Sequence, residues 1–202
     1  MVQSIRSVPL PEPSVAGASS VEQLLAQRRS RRDYKAAAIE LAEIGQLLWA
    51  AQGVTHSQGL RTAPSAGALY PLELYVVTGP IEGLAQGVYH YDPGRHQLSK
   101  TSDGDLRDAL ARSAFSQAWI KQAPTVIVFT ADYERTAKKY GKRGKRYVHI
   151  EVGHASQNLF LQSEALGLAT VVVGAFNDEE VANILRLPSE LQPLLLMPIG
   201  RQ

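Results

Sequence analysis

Four side chains near the two ends of this chain have the chemistry of an anion clamp. Arg28 and Arg32 are four residues apart, so if the helix read over Val21–Arg29 runs on, they share a face and can grip one anion, with the Ser30 hydroxyl on the same turn. Arg201, beside Gly200 at the other end of the chain, offers a further guanidinium. Planar guanidinium forks suit a doubly charged phosphate better than lysines alone. Arg29 lies one residue off the shared face, and either contributes backbone or faces water. An exposed basic cluster is also commonly a solvated face, and these residues alone leave both readings open.

Two further stretches carry possible chemistry. Arg61-Thr62-Ala63-Pro64-Ser65-Ala66-Gly67-Ala68-Leu69-Tyr70-Pro71 is a run of small residues bracketed by prolines. Small residues let backbone approach a ligand closely, and this stretch cannot be helical throughout. The plain alternative is an ordinary loop. Between Arg135 and Arg146 there are seven basic residues, with Tyr133, Tyr140 and Tyr147 interleaved. This is a solvated loop and helix start, or a groove combining positive charge with stacking aromatics as nucleic-acid sites do, although no recognised binding module surrounds it.

Other chemistries lack their residues. With no cysteine, disulfides, thiolate zinc and a cysteine nucleophile are excluded, and any electrons need a cofactor. His90 and His96 flank a turn, His149 and His154 are ill-spaced for a zinc pair, and Glu151-x-x-His154 is one copy of a di-iron half-motif that needs two. No metal site is expected. The sequence holds no nucleophile elbow, phosphate-binding loop or Rossmann fingerprint, so a nicotinamide donor would have to visit its acceptor transiently.

The elements that must position these residues are legible in outline. A chain of 202 residues with 45% hydrophobic content suits one domain, read as 20–202. Residues 1–19 form an extended arm, stiffened by Pro9, Pro11 and Pro13, which either wraps a partner subunit or hangs loose. Ser20 with Gln23 makes a capping box that opens the first helix. The periodicity predicts helices near 20–30, 39–52, 103–112, 115–121, 148–168 and 178–187, and strands near 72–78, 87–92, 125–131, 169–174 and 194–199. Interleaved in this way, they imply an α+β fold with helices packed on a mixed sheet. Leu41, Ile44, Leu47 and Leu48 read as core, as does the stripe Val148, Val152, Ala155 and Leu159; Glu151, His154, Asn158 and Gln162 make a polar stripe beside it. A net charge of +2 is too small to imply a polyanionic partner. No stretch approaches the roughly 18 apolar residues of a membrane span, and the N-terminus has no apolar targeting core, so a cytoplasmic protein making no membrane contact is expected.

From about Val21 to the end, the chain resembles the FMN-dependent nitroreductase family, on Arg28–Tyr34, the Arg61–Pro71 loop, Glu151-Val-Gly-His154-Ala-Ser-Gln157-Asn158, Val173-Gly174-Ala175-Phe176 and Met197-Pro-Ile-Gly200-Arg201. The resemblance implies the nitroreductase-like fold, its mixed sheet mainly antiparallel and packed by helices, as an intertwined homodimer. It implies FMN held by Arg28, Arg29, Ser30, Arg32, Gly200 and Arg201, and touched from the other subunit by Pro64, Ser65, Ala66 and Gly67. Backbone at Val173, Gly174 and Ala175 would face flavin N5, and Gln157, with His154 and Asn158, would line or support the site. More narrowly, Arg61–Pro71 and Lys139-Tyr140-Gly141-Lys-Arg-Gly144-Lys-Arg146-Tyr147 resemble the branch that dehydrogenates azolines to azoles in peptide maturation. By that likeness Lys139 and Tyr140 handle the departing proton, the substrate is a small molecule or peptide, and a cyclodehydratase is a partner. The alternatives are a reductase of nitroaromatics or quinones using NAD(P)H, and a non-catalytic nucleic-acid or flavin-binding module.

Overall fold

The computed structural model describes residues 7–202. Seven strands form one sheet in the order β1-β4-β3-β2-β5-β7-β6: β1 Ser7–Pro9, β2 Leu72–Thr78, β3 Gly87–Asp92, β4 Gln97–Asp103, β5 Thr125–Asp132, β6 Leu168–Thr170 and β7 Leu191–Arg201. Every pairing among them is antiparallel, which is the α+β architecture expected, at the antiparallel end of the expected range. The helices are α1 Val21–Gln27, α2 Leu41–Gln52, α3 Arg107–Ser113, α4 Ala118–Gln122, α5 Tyr133–Tyr140, α6 Gly144–Ala165 and α7 Asp178–Leu185.

The sheet is covered on both faces, and the central strands show why their sequences are continuously apolar. In β2, Leu72, Leu74 and Val76 join a core with α2 and α6, whereas Tyr75 and Val77 point the other way into a second core with Leu110, Ile120, Val181 and Leu185 from α3, α4 and α7. Strand β5 divides in the same manner, Ile127 and Phe129 against Val126 and Val128. A strand buried on both sides loses its alternating pattern because neither face is free to be polar.

Several elements differ from expectation, among them β1, where the sequence predicts no strand, and β6, which ends at Thr170 rather than at 174. Strand β4, with only Leu98 of its residues fully buried, is too polar to read as a strand; it forms because the Asp92–His96 turn folds it back on β3. Helix α5 lies in the basic stretch and is set by its N-cap, Asp132, whose side chain accepts from the Glu134 and Arg135 amides. Helix α1 opens with the expected Ser20–Gln23 capping box but stops at Gln27.

The described part of the arm is bound to the chain's own body. Ser7–Pro9 pair with β4, Leu10 is buried, His96 Nε2 bonds the Pro11 carbonyl at 3.0 Å, and Ser14 exchanges two hydrogen bonds with the Gln46 amide. Residues 1–6 of the arm lie outside the described residues.

At the other end of the fold, the segment after α1 is strapped over the sheet edge, with Arg31 N bonded to Thr170 O at 2.9 Å and Lys35 N to Arg201 O at 3.0 Å. Tyr34 lies so closely over Gly200 that a β-carbon there would be built into its ring. Gly200→Ala is therefore expected to destabilise the fold by about 1–3 kcal/mol through overpacking. Thermal melting should record a loss of roughly 2–4 °C per kcal/mol, with unchanged far-UV circular dichroism.

Candidate active site

The Arg61–Pro71 loop meets the basic helix. Gly67 adopts φ +64°, and a β-carbon built on it would lie 2.7 Å from Tyr140 Oη and 2.9 Å from Lys139 Nζ. A side chain there would press on both groups and strain the left-handed backbone. Lys139 and Tyr140 reach this position from the last turn of α5, before Gly141 ends the helix at φ +55°, and the Tyr140 ring is braced edge-on by Tyr147 with centroids 5.0 Å apart. The two residues matched to the azoline branch and the small-residue loop thus converge within one chain.

Polar bonds hold this loop from several sides. Arg61 Nη1 donates to Gln52 Oε1 at 2.8 Å, and its guanidinium lies 4.6 Å from the Tyr70 ring centroid. Asn158 Nδ2 donates to Thr62 O at 3.4 Å, Tyr70 N to Ser65 Oγ at 2.9 Å, and Arg135 Nη1 to Tyr70 O at 2.6 Å. The other arm of Arg135 donates to Glu73 Oε1 at 2.8 Å, while His90 Nε2 meets Glu73 Oε2 at 2.9 Å. Burial pushes Glu73 up, but hydrogen bonds from His90 and Arg135 and their charges outweigh it and hold the carboxyl below its ordinary value. Burial lowers the pKa of Arg61, opposed chiefly by the carboxylates of Glu73 and Glu151.

The clamp residues are arranged differently from expectation. Because α1 ends at Gln27, Arg28 and Arg32 do not share a helix face; they lie on the strap, Arg28 over Phe160 at 5.0 Å and Arg32 over Trp119 at 5.4 Å. Neither meets a carboxylate among the described residues, and Ser30 between them is exposed. Arg29 turns back to cap its own helix, donating to Ala26 O and Arg28 O. Arg201 is also engaged: its fork closes on Glu43, Nη1 to Oε1 at 2.6 Å and Nη2 to Oε2 at 2.8 Å. An anion would have to displace Glu43 to reach it, and Gly200 is occupied by Tyr34. At the Val173–Ala175 turn, the Val173 amide is spent on Leu196 O at 2.8 Å, which removes it from the expected set. Gly174 and Ala175 are exposed, and their amides have no acceptor among the described residues.

Helix α6 connects the two regions. Val148, Val152, Ala155 and Leu159 are buried as read, but the polar stripe splits. Asn158 serves the loop, Gln162 bonds Gln46, His154 is exposed, and Gln157 is half-buried beside it. Glu151 is buried at 2% exposure, with Oε1 unpartnered. In the sequence Glu151 belongs to the polar stripe, and its position within one turn of Val148, Val152 and Ala155 is the signal for its burial.

The profile of the Nitroreductase family matches residues 25–201. The chain belongs to that family. A nitroreductase-family protein of Methanocaldococcus jannaschii is 47% identical over 90% of this chain and 91% of its own length. The microcin B17-processing protein of Escherichia coli is 27% identical over 69% of this chain and 54% of its own, and an FMN reductase of Bacillus subtilis is 30% identical over 48% and 45%. The chain thus spans about half of each of these last two. Among solved structures, a nitroreductase-family protein of Ralstonia eutropha superposes with a TM-score of 0.85 at 31% identity, covering 97% of this chain and 89% of the other. The protein is accordingly an oxidoreductase of the nitroreductase fold.

Flavin mononucleotide is the cofactor that membership implies, and the residues fit it in part. Two guanidiniums free of carboxylates, an exposed hydroxyl, two amides without acceptors and backbone seated at Gly67 are the donors and clearance such a group needs. Arg28→Ala and Arg32→Ala should each weaken FMN binding by the roughly 1.5–3 kcal/mol of a charged hydrogen bond, read by calorimetric titration of flavin-free protein. Arg201→Ala should act mainly on stability, since it strips Glu43 of its partner, and should lower the melting temperature even without flavin.

Proposed function

We propose that this chain is an FMN-dependent oxidoreductase that dehydrogenates azoline rings of a small molecule or peptide to azoles. The observation that carries the reading is the seating of Lys139 Nζ and Tyr140 Oη against the backbone of Gly67. Aromatising an azoline removes a hydride from one ring carbon and a proton from its neighbour. Bound FMN supplies the hydride acceptor. The protein must then supply a proton acceptor beside the ring, which a reductase of quinones or nitroaromatics has no need for. This reading assigns that task to Lys139 and Tyr140, whose polar atoms lie against the backbone of Gly67. The partner class this chemistry implies is the cyclodehydratase that builds the azoline. The likeness to a microcin-processing protein supports the reading.

The reading includes a homodimer with two composite sites. Arg31, on the strap, pairs with Glu164 of α6, whereas Ser65 faces Glu151 on the same helix. The thirteen-residue separation corresponds to roughly 20 Å along the helix axis. Nearer the middle of the helix, Arg28 lies over Phe160 while Thr62 O meets Asn158, two residues and so about 200° apart around the axis. Strap and loop thus lie on different sides of α6, and in this reading a second copy brings a loop to each strap. Arg146, Ile150, Gly153 and His154 form the exposed face of α6 on which such a copy would sit, with Ile150 49% exposed.

A reductase drawing on NAD(P)H is the second reading, favoured by the likeness to an FMN reductase. Substitution separates the two. Lys139→Ala or Tyr140→Phe should lower turnover of a thiazoline peptide by about 10²–10⁴-fold, the usual worth of a general base, with flavin content unchanged and quinone reduction by NADH nearly unaffected. Equal loss of both activities would make the pair structural. Loss of neither would favour the reductase reading.

A further inference from the structure

The network under the Arg61–Pro71 loop ends on a group that the proposed chemistry does not use. Glu151 is 2% exposed and its Oε1 has no hydrogen-bond partner among the described residues. A buried carboxyl is costly unless charges or hydrogen bonds offset it. The groups facing it are the Ser65 hydroxyl, the Gln52 amide and the guanidiniums of Arg61 and Arg135. Beyond these lie Tyr70 and Glu73, the latter held between Arg135 and His90. Burial pushes the Glu151 carboxyl up to about 7, against the opposing pull of Ser65, Arg61, Gln52 and Arg135. Its charge therefore changes near neutrality.

The loop it faces is strained. Ala68 and Tyr70 stand at φ +52° and +47°, beside Gly67. Left-handed backbone costs a residue with a side chain roughly 1–2 kcal/mol, and it persists only where the surroundings over-determine it. The Tyr70 amide is tied to Ser65 Oγ, and Ser65 is the loop's link to Glu151.

We propose that Glu151 is a positioning residue whose ionised carboxylate, acting through Ser65 and Arg61, holds the strained loop with Gly67 seated on the Lys139–Tyr140 pair. The carboxylate draws the Ser65 proton, which makes Ser65 Oγ a better acceptor for the Tyr70 amide, and its charge attracts the Arg61 guanidinium stacked on Tyr70. Neutralising Glu151 releases both restraints, so the loop loosens as pH falls through about 7. Global stability responds in the opposite sense. A carboxyl whose folded pKa is raised takes up its proton first in the folded state, so its contribution is fully present below its ordinary value and is lost as pH rises through the folded one. Local tightening accompanied by global weakening is the signature of this one group. The inference deepens the proposed function, because the pair being positioned is that reading's proton acceptor, but the seating of the loop does not depend on the substrate.

The test is amide hydrogen exchange of Tyr70 in the flavin-free protein, corrected for intrinsic exchange, from about pH 6 to about pH 8. Wild-type protection should rise about tenfold, the scale of one hydrogen bond. Glu151→Gln, which carries no charge at any pH, should show no rise. Ser65→Ala should also abolish it while keeping the pH dependence of global stability, and it serves if the glutamine variant does not fold. A wild-type rise that persists in either variant overturns the proposal, as does the absence of any rise in the wild type. Failure of the wild-type holoenzyme to oxidise any azoline would instead sink the substrate reading and leave the exchange result standing.

Discussion

A loop containing three left-handed residues within four positions cannot hold itself, and much of the candidate site depends on what holds it. Gly67, Ala68 and Tyr70 carry the strain, and neighbouring elements anchor the loop by polar bonds: Arg61 to α2, Thr62 to α6, Tyr70 to α5, and Pro71 O to the Asp132 amide at 3.0 Å. None of these bonds is worth more than a few kcal/mol alone. Together they convert a flexible run of small residues into a fixed platform. Arg135 is the most economical of them, since one guanidinium ties the loop to Glu73 on β2 and is itself carried by the helix that presents Lys139 and Tyr140.

Helix α6 works with a different residue set on each face. Toward the sheet it presents Val148, Val152, Ala155 and Leu159, which join the core with α2. Toward the loop it presents Glu151 and Asn158, one ionisable and one neutral, both facing backbone that must not move. Outward it leaves Ile150, Gly153 and His154 exposed. A helix burdened in this way cannot have a simple amphipathic pattern, because three environments around one axis cancel in any two-sided average.

That cancellation marks the boundary of what the sequence made legible. The central strands, α2 and the apolar stripe of α6 were readable because burial alone decides them. Strand β4 was not, since its pairing with β3 follows from turn geometry and its composition is polar. Helix α5 was hidden by charge: seven cations in twelve residues read as solvated loop, and the feature that makes them a helix is one aspartate cap at Asp132. At the site, Lys139, Tyr140 and Gly67 were legible through likeness to a family, and the structure added that they touch. Arg201 is engaged in a way that the sequence hides. An arginine near a chain end looks free, whereas the carboxylate that engages it, Glu43, lies 158 residues away in sequence and comes close only once β7 is in the sheet.

The clamp illustrates how a fold can carry an incomplete site without being poorly formed. Arg31 looks like part of the basic run, yet it is the residue committed to structure, bound to Glu164 and, through its backbone, to Thr170. Its neighbours Arg28 and Arg32 rest on aromatic rings instead, which hold a guanidinium in place without neutralising it. A cation held over a ring keeps its outward donors for an anion, whereas one paired with a carboxylate has spent them. By that criterion the free cations of the strap and the seated glycine of the loop are both prepared for a ligand, and each supplies what the other lacks.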